Sequence, residues 1–155
     1  MRKYNTKTIK IKNVSFGKNC KIIEPSNLYD CKLGNNTFVG PFCEIQSDVT
    51  IGDSTKIQSH SFVCSKVTIG SECFIGHGVV FINDLFSEGH PANGDQHKWK
   101  PTIIGNKVSI GSNSTILAVE IVDRVVIGAG SVVTKSIKKP GVYAGNPARL
   151  LRKYD

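Results

Sequence analysis

The sequence predicts an all-β fold, a parallel β-helix of three-sided coils, on three observations: a six-residue apolar repeat, a second column of small side chains in phase with it, and one interruption that the repeat survives. Repeats are sought before helices and strands because a missed period misreads the whole architecture. From Leu33, steps of six meet Val39, Ile45, Ile51, Ile57, Val63, Ile69, Ile75 and Phe81, nine apolar residues without a miss. In a chain that is 39% apolar, such a run arises by chance with a probability of about 2 × 10⁻⁴ per phase. Two residues before each apolar position stands a small or β-branched side chain: Cys31, Thr37, Cys43, Val49, Thr55, Ser61, Val67, Cys73 and Val79. Alternate residues of an extended segment share a face, so each hexad offers one small and one large inward side chain before the chain turns. Gly34, Gly40, Gly52, Gly70 and Gly76 follow the apolar residue and relieve the backbone at the corner. Three hexads close one triangular coil, and coils stack at the strand spacing of about 4.8 Å.

The elements follow in chain order. An earlier apolar set, Phe16, Ile22 and Leu28, keeps the same frame and puts Cys20 at a small inward position beside Cys31, Cys43 and Cys73. Five cysteines cannot all pair within one chain and none forms C-x-x-C, so free buried thiols are expected. The period breaks after Phe81 and resumes at Ile104, Ile110 and Ile116, then, one residue short, at Ile121, Ile127 and Val133. The interval of about 82–103, rich in Gly, Pro, Asn and Asp, is expected to be a loop extruded over the prism, and long loops in compact repeats usually carry function. The pattern from Asn146, with Pro147 first and Leu150 and Leu151 following, predicts a short C-terminal helix over about 146–155, capping the open last coil. The expected organisation is one domain over residues 1–155.

Composition limits the partners. No uncharged apolar run is long enough to span a membrane, and the first residues lack the apolar centre of a signal peptide, so the expected location is the cytoplasm and no membrane partner is expected. The formal charge of +8 gathers at the ends: seven Lys/Arg precede Glu24, and residues 124–154 hold seven more without an acid. Such ends attract phosphates. No reading helix or aromatic-rich sheet motif accompanies them, so a small phosphorylated ligand fits better than nucleic acid.

The hexads, together with IGAGSVVTKSIKKPGVYAGNPARLLRK at residues 127–153, resemble the hexapeptide-repeat acyltransferases over nearly the whole chain. The resemblance implies a left-handed β-helix, a homotrimer with active sites between neighbouring subunits, and acetyl-CoA as co-substrate. The stretch IQSHSFVCSKVTIGSECFIGHGVVFINDLF, residues 57–86, is similar to the acetyltransferases acting on the 3-amino group of nucleotide-linked (dTDP or UDP) deoxyamino sugars used in surface polysaccharides. That likeness implies that Asn83 orients the acceptor amine with Asp84 beside it, that the departing CoA sulfur can take the amine proton, and that Glu24 or Glu44 touches the sugar. Two departures stand out: Ala118, with one residue missing, replaces the usual Pro-Gly, and Ile121-Val122 replaces Ile-Gly, which puts the shape of the pantetheine groove in question.

Acetyl transfer to an amine needs a neutral nucleophile, a polarised thioester carbonyl and a destination for the proton. His60 is the candidate base, since its frame, three residues past Ile57, turns it outward. His77, 17 residues on, falls in a nearby column of the next coil and is a candidate acceptor contact. His90 and His97 lie on the loop and are expected to be solvated. A zinc site on this prism would need a second histidine with four residues between, and Ile82 stands there; no metal is expected. Trp99, between Lys98 and Lys100, is a candidate for stacking on a nucleotide base. Lys135, Arg149, Arg152 and Lys153 are candidates for the phosphates of CoA, with backbone around Gly111, Ala129 and Gly130 lining its pantetheine arm. The alternatives are an O- or N-acetyltransferase for another small acceptor (a free sugar, an amino acid, a xenobiotic) and a non-catalytic β-helix assembly module. The module would need neither the loop nor the basic tail.

Overall fold

The computed structural model describes residues 10–154. The N-terminal part of the expected domain, and the last residue of the expected cap, lie outside the described residues. Within them the chain winds as a left-handed parallel β-helix of short strands, β1 to β21 in chain order, with no helix.

Three sheets form the walls. The first stacks β1 (Ile11–Lys12), β4 (Asn27–Tyr29), β7 (Glu44–Ile45), β10 (Phe62–Val63), β13 (Val80–Phe81), β16 (Thr115–Ile116) and β19 (Val132–Val133). The second stacks β2 (Ser15–Phe16), β5 (Lys32–Leu33), β8 (Thr50–Ile51), β11 (Val67–Ile69), β14 (Thr102–Ile104) and β17 (Glu120–Ile121). The third stacks β3 (Lys21–Ile22), β6 (Phe38–Val39), β9 (Lys56–Ile57), β12 (Phe74–Ile75), β15 (Ser109–Ile110), β18 (Val125–Ile127) and β20 (Gly141–Gly145), with β21 (Ala148–Arg152) antiparallel at its end.

The two inward columns do different work. The large one, including Leu28, Ile45, Ile57, Ile75, Phe81, Ile110 and Ile116, is fully buried and makes the core; each such side chain stabilises by about 1.5–3 kcal/mol on burial. The small column also closes hydrogen bonds. Ser61 donates to the carbonyls of Gln58 and Gly76 at 2.9 and 3.0 Å, Thr55 to Gly70 at 2.8 Å, and Ser114 to Gly111 and Gly128 at 2.8 and 3.1 Å. The Cys43 and Cys73 thiols fill the same role toward Gln58 and Gly105, each at 3.1 Å. A hydroxyl or thiol here satisfies a corner carbonyl that the strand ladder leaves over. Cys20, Cys43 and Cys73 are therefore small donors, all five cysteines are free of disulfides, and burial pushes the Cys31 thiol up to about 11.

The corners differ. After the second and third faces the turn is mostly glycine, and a Cβ on Gly34, Gly70 or Gly111 would meet atoms of the next coil at 2.3–2.6 Å, closer than real Cβ contacts allow. After the first face the matching residues are Tyr29, Gln46, Cys64, Ile82 and Leu117. This corner carries side chains in place of glycine, and here the loop leaves. It occupies residues 82–101, since β14 already begins at Thr102, two residues earlier than the sequence boundary.

The C-terminal helix is a correction. Residues 141–152 form a hairpin whose first strand continues the third face and whose second closes its edge. The run from Ala148 has helical propensity but is too short to hold a helix without a packing face, whereas the last coil offers a row of unpaired backbone groups. The expected covering of the last coil is supplied on this face by strands.

Candidate functional site

The predicted site residues sort onto the two edges of the first face. On the edge shared with the third face, successive coils stack Glu24, Pro41, Ser59, His77, Ser112 and Ala129, with Phe42, His60, Gly78, Asn113 and Gly130 one residue further on. On the opposite edge stand Ser47, Ser65, Asn83 and Lys135, with the loop above them. A whole strand lies between, so one subunit does not bring His60 or His77 to Asn83.

His77 is oriented along its edge: its Nδ1 lies 2.9 Å from the Ser59 hydroxyl, and its backbone N–H donates to the Ser112 hydroxyl at 3.2 Å. A proton on Nδ1, given to Ser59, leaves Nε2 bare as an acceptor. His60, in the left-handed backbone region at φ 63°, is exposed and stacks on Phe42 with ring centroids 5.0 Å apart. Gly111 and Gly130 lie on this edge, but their N–H groups donate to Ile127 and Ser112, so they shape a track rather than offer free donors. Ala129 is exposed beside them. Among the described residues no three His, Cys, Asp or Glu side chains converge.

Asn83 is half-buried at the other edge. Its side-chain NH2 donates to the Ser65 carbonyl at 3.0 Å, and its backbone carbonyl accepts the Lys100 N–H at 2.9 Å. The bond to Ser65 leaves the Asn83 side-chain oxygen as an acceptor for an amine or hydroxyl. Asp84 shapes the loop: its two oxygens accept the backbone N–H groups of Phe86 and Ala92 at 3.0 and 2.7 Å. The Ala92 and Phe86 bonds hold its carboxyl below the usual carboxylate range. Lys66 ties the returning limb through the carbonyls of Gln96 and Trp99 at 2.5 and 3.5 Å, and Lys98 pairs with Glu88, which His90 also approaches at 3.5 Å. His97 is exposed. Beneath the loop a cavity of about 320 Å³ is walled by Gln46, Phe62, Val80, Asn83, Phe86 and Trp99. Cys64 lies at its floor, its thiol pushed by burial up to about 12.

Glu44 stands on the outer side of the first face between the edges, in register with Asn27 and Phe62. Gln46 holds it, donating to Glu44 at 2.9 Å while its own oxygen accepts the Ser65 N–H at 3.2 Å. Burial, and then the Glu44 charge, push the Tyr29 phenol up.

The cationic candidates separate. Arg149 pairs with Ala144 near the hairpin turn, where Gly145 donates to the Ser131 hydroxyl at 3.1 Å, beside the histidine edge. Arg152 pairs with Val142 at the far end of β21, with Lys153 beyond it. Lys135 is exposed on the Asn83 edge. The shortened coil at Ala118 opens a groove of about 430 Å³ on the second face, lined by Ile103, Glu120, Val122, Asp123, Lys138 and Pro140.

Sequence reasoning missed Phe42, Gln46, Ser59, Ser65 and Lys66. A signal was present for Gln46: it stands, like Cys64 and Ile82 on the same corner, where other hexads have a glycine after the apolar residue.

Known proteins carry the same repeat. The family described as bacterial transferase hexapeptide (six repeats) matches residues 30–65, and the hexapeptide repeat of succinyl-transferase matches residues 101–135. Both stretches of the chain carry the hexapeptide repeat of those families. The bifunctional protein GlmU of Clostridium botulinum (strain ATCC 19397 / Type A) is 36% identical over 109 residues, 70% of this chain but 21% of that protein. The chain thus spans about a fifth of the length of this curated relative. AntD, an N-acyltransferase from Bacillus cereus, solved as a variant in complex with dTDP and Coenzyme A, superposes with a TM-score of 0.78 at 25% identity, over 91% of this chain and 84% of that one. Another AntD variant has been solved with dTDP-4-amino-4,6-dideoxyglucose and Coenzyme A. A maltose O-acetyltransferase from Clostridium difficile 630 superposes with a TM-score of 0.63 at 25% identity, over 91% of this chain and 70% of that one.

Proposed function

We propose that this protein is a cytoplasmic acetyl-CoA-dependent N-acetyltransferase acting on the amino group of a nucleotide-linked amino deoxysugar, as a homotrimer. The observation that carries the reading is the first face. One edge holds an oriented histidine beneath a glycine-lined track, and the other holds Asn83 with a loop that walls a cavity of small-molecule size. The two edges are too far apart to serve one reaction within a subunit, and a neighbouring copy that packs its edge against the loop would unite them. The likeness to AntD supports the substrate class, and the resemblance of residues 57–86 favours the 3-amino position.

In this reading the Asn83 oxygen accepts a hydrogen from the substrate amine and holds its lone pair toward the thioester. The nitrogen attacks the carbonyl carbon, the C–S bond breaks, and the amine proton passes to His60, to His77 or to the departing CoA sulfur. Glu44 contacts the acceptor, Trp99 and Phe86 cover it, and Arg149 takes a CoA phosphate beside the track, with Lys135, Arg152 and Lys153 contributing across the interface.

Thiol release from acetyl-CoA, measured across UDP- and dTDP-linked 3- and 4-amino sugars, tests the reading. Release with at least one amino sugar, and none with the parent sugar nucleotides, is expected. Release with maltose or glucose alone would move the protein to the O-acetyltransferases.

A further inference from the structure

The low end of the first face holds a second cavity, about 210 Å³, lined by Pro25, Ser26, Asn27, Phe42, Cys43 and Glu44. Phe42 needs explaining. It adopts a left-handed backbone conformation, φ 59°, and is 58% exposed. In that corner column the other left-handed positions are His60, Gly78, Asn113 and Gly130, all polar residues or glycine. An exposed aromatic ring at such a position is unfavourable both to the backbone and to hydration, and packing within this chain does not account for it. What the ring does is stack on His60 with an interplanar angle of 29°, which turns the corner into a two-ring platform over the cavity.

The polar groups beside the platform are also fixed. Gln46 donates to one Glu44 oxygen while its own oxygen is held by the Ser65 N–H, and the Tyr29 phenol also bonds the Glu44 carboxylate, which fixes that group at the cavity wall. Asn27 pairs in register with Glu44, placing a side-chain amide next to that carboxylate. The wall therefore offers one anionic acceptor beside one amide donor, at the edge of a flat aromatic surface.

We infer that Phe42, Glu44 and Asn27 form a subsite for the pyrimidine base of a nucleoside diphosphate, the ring stacked on Phe42, its imide N–H given to Glu44 and an adjacent carbonyl accepting from Asn27. A uracil or thymine imide carries one N–H flanked by carbonyls and matches this pair. Guanine carries two adjacent N–H donors that call for both carboxylate oxygens, one of which Gln46 holds, and its second ring asks for more room. The adenine of CoA is a poor occupant, because Gly130 lies four coils above Phe42 on the same edge, roughly 19 Å at the strand spacing, and the Arg149 end of the hairpin lies higher still. The inference rests on the acetyltransferase reading and assigns this chain's own residues to the base of its nucleotide.

Calorimetric titration of the full chain with UDP, dTDP, GDP and CoA tests it. UDP and dTDP are expected to bind, with GDP at least about tenfold weaker. Phe42→Ala should weaken UDP and dTDP by about 5- to 150-fold, the range of one base–aromatic stack, while Phe42→Tyr keeps binding and CoA affinity stays at the wild-type value in both. Glu44→Gln should narrow the gap between pyrimidine and guanine nucleotides. Circular dichroism and thermal melts establish that each variant is folded. A folded Phe42→Ala protein that binds UDP and dTDP as the wild type does, or a wild type that takes GDP equally well, overturns the subsite. If Phe42→Ala acetylates a nucleotide amino sugar with unchanged KM, the subsite falls and the acetyltransferase reading stands. If the wild type binds none of the nucleotides and acetylates only a nucleotide-free amine, the nucleotide-sugar reading falls with it.

Discussion

Replacing Gly111 by alanine should open the upper coils, and replacing Gly130 should not. A Cβ at Gly111 would stand 2.4 Å from the Ala129 nitrogen, 2.7 Å from its Cα and 2.8 Å from the Gly128 carbonyl carbon, all backbone atoms of the next coil. None is the end of a flexible side chain, so the coils must part by close to 1 Å in a stack spaced at about 4.8 Å. Overpacking of this kind costs about 1–3 kcal/mol, offset by several tenths from the stiffer unfolded chain, a net of about 1.5 kcal/mol. For a chain of this length that is a fall in Tm of roughly 3–6 °C. Gly130 is the control: no atom lies within 4 Å of its would-be Cβ, and its cost is the left-handed φ of +68° alone. That penalty of about 1–2 kcal/mol, less the same entropic offset, leaves about 1 kcal/mol or less and a fall of roughly 1–4 °C. Differential scanning calorimetry of the two variants decides. A Gly130→Ala protein that melts as low as Gly111→Ala or lower would refute the claim that coil contact makes Gly111 indispensable.

The other predictions concern the site and its supports. Asn83→Ala should lower kcat/KM for acetyl transfer by about one to three orders of magnitude by loosening the amine; a normal rate would remove Asn83 from the site. His60→Ala should lower kcat by about 10²- to 10⁴-fold and abolish the acidic limb of the pH profile if it is the base, whereas a small loss shifts that role to His77 or the CoA sulfur. Arg149→Ala should raise the KM for acetyl-CoA more than Lys153→Ala does, because Arg149 stands beside the histidine edge and Lys153 at the far end of the hairpin; equal effects would contradict that placement. The bonds from Asn106 hold the Asp123 carboxyl below its ordinary range. Its contribution is therefore present above the unfolded value of about 3.9 and lost as pH falls through the lower folded value. Asp123→Asn should flatten the dependence of the urea midpoint on pH below about 4, and an unchanged slope would count against the bond. Light scattering should return three times the chain mass, and a monomer would leave the two edges of the first face ununited.

How much of this could be read from the sequence depends on whether a feature is periodic. Ile45, Ile57, Val63 and Ile75 announce the prism because every inward position faces the same environment, so one rule writes them all. The small column was legible as packing, but its hydrogen bonds were not, since Ser61 and Cys43 were read by size and not by the carbonyl each would meet. The hairpin was misread because propensity in the run after Pro147 is local, while its pairing to β20 is imposed by the open edge of the last coil. Asp84 was expected to meet the acceptor, and the structure gives both its oxygens to the loop backbone, a commitment set by how residues 85–92 return. His60 and Asn83 were assigned to one reaction by chemistry, and since Ser65, the residue beneath Asn83, lies five residues past His60 and across a face, that assignment stands only between neighbouring subunits.

The central claim is acetyl transfer to an amine, and the direct measurement is the stoichiometry of the reaction. The full chain is incubated with acetyl-CoA and a dTDP- or UDP-linked amino deoxysugar, and free thiol and product are quantified together. The account predicts one thiol released for each acetamide formed, with a product that resists hydroxylamine as an amide does. Thiol released equally from sugar nucleotides that lack the amine, or a product cleaved by hydroxylamine as an ester is, would contradict it.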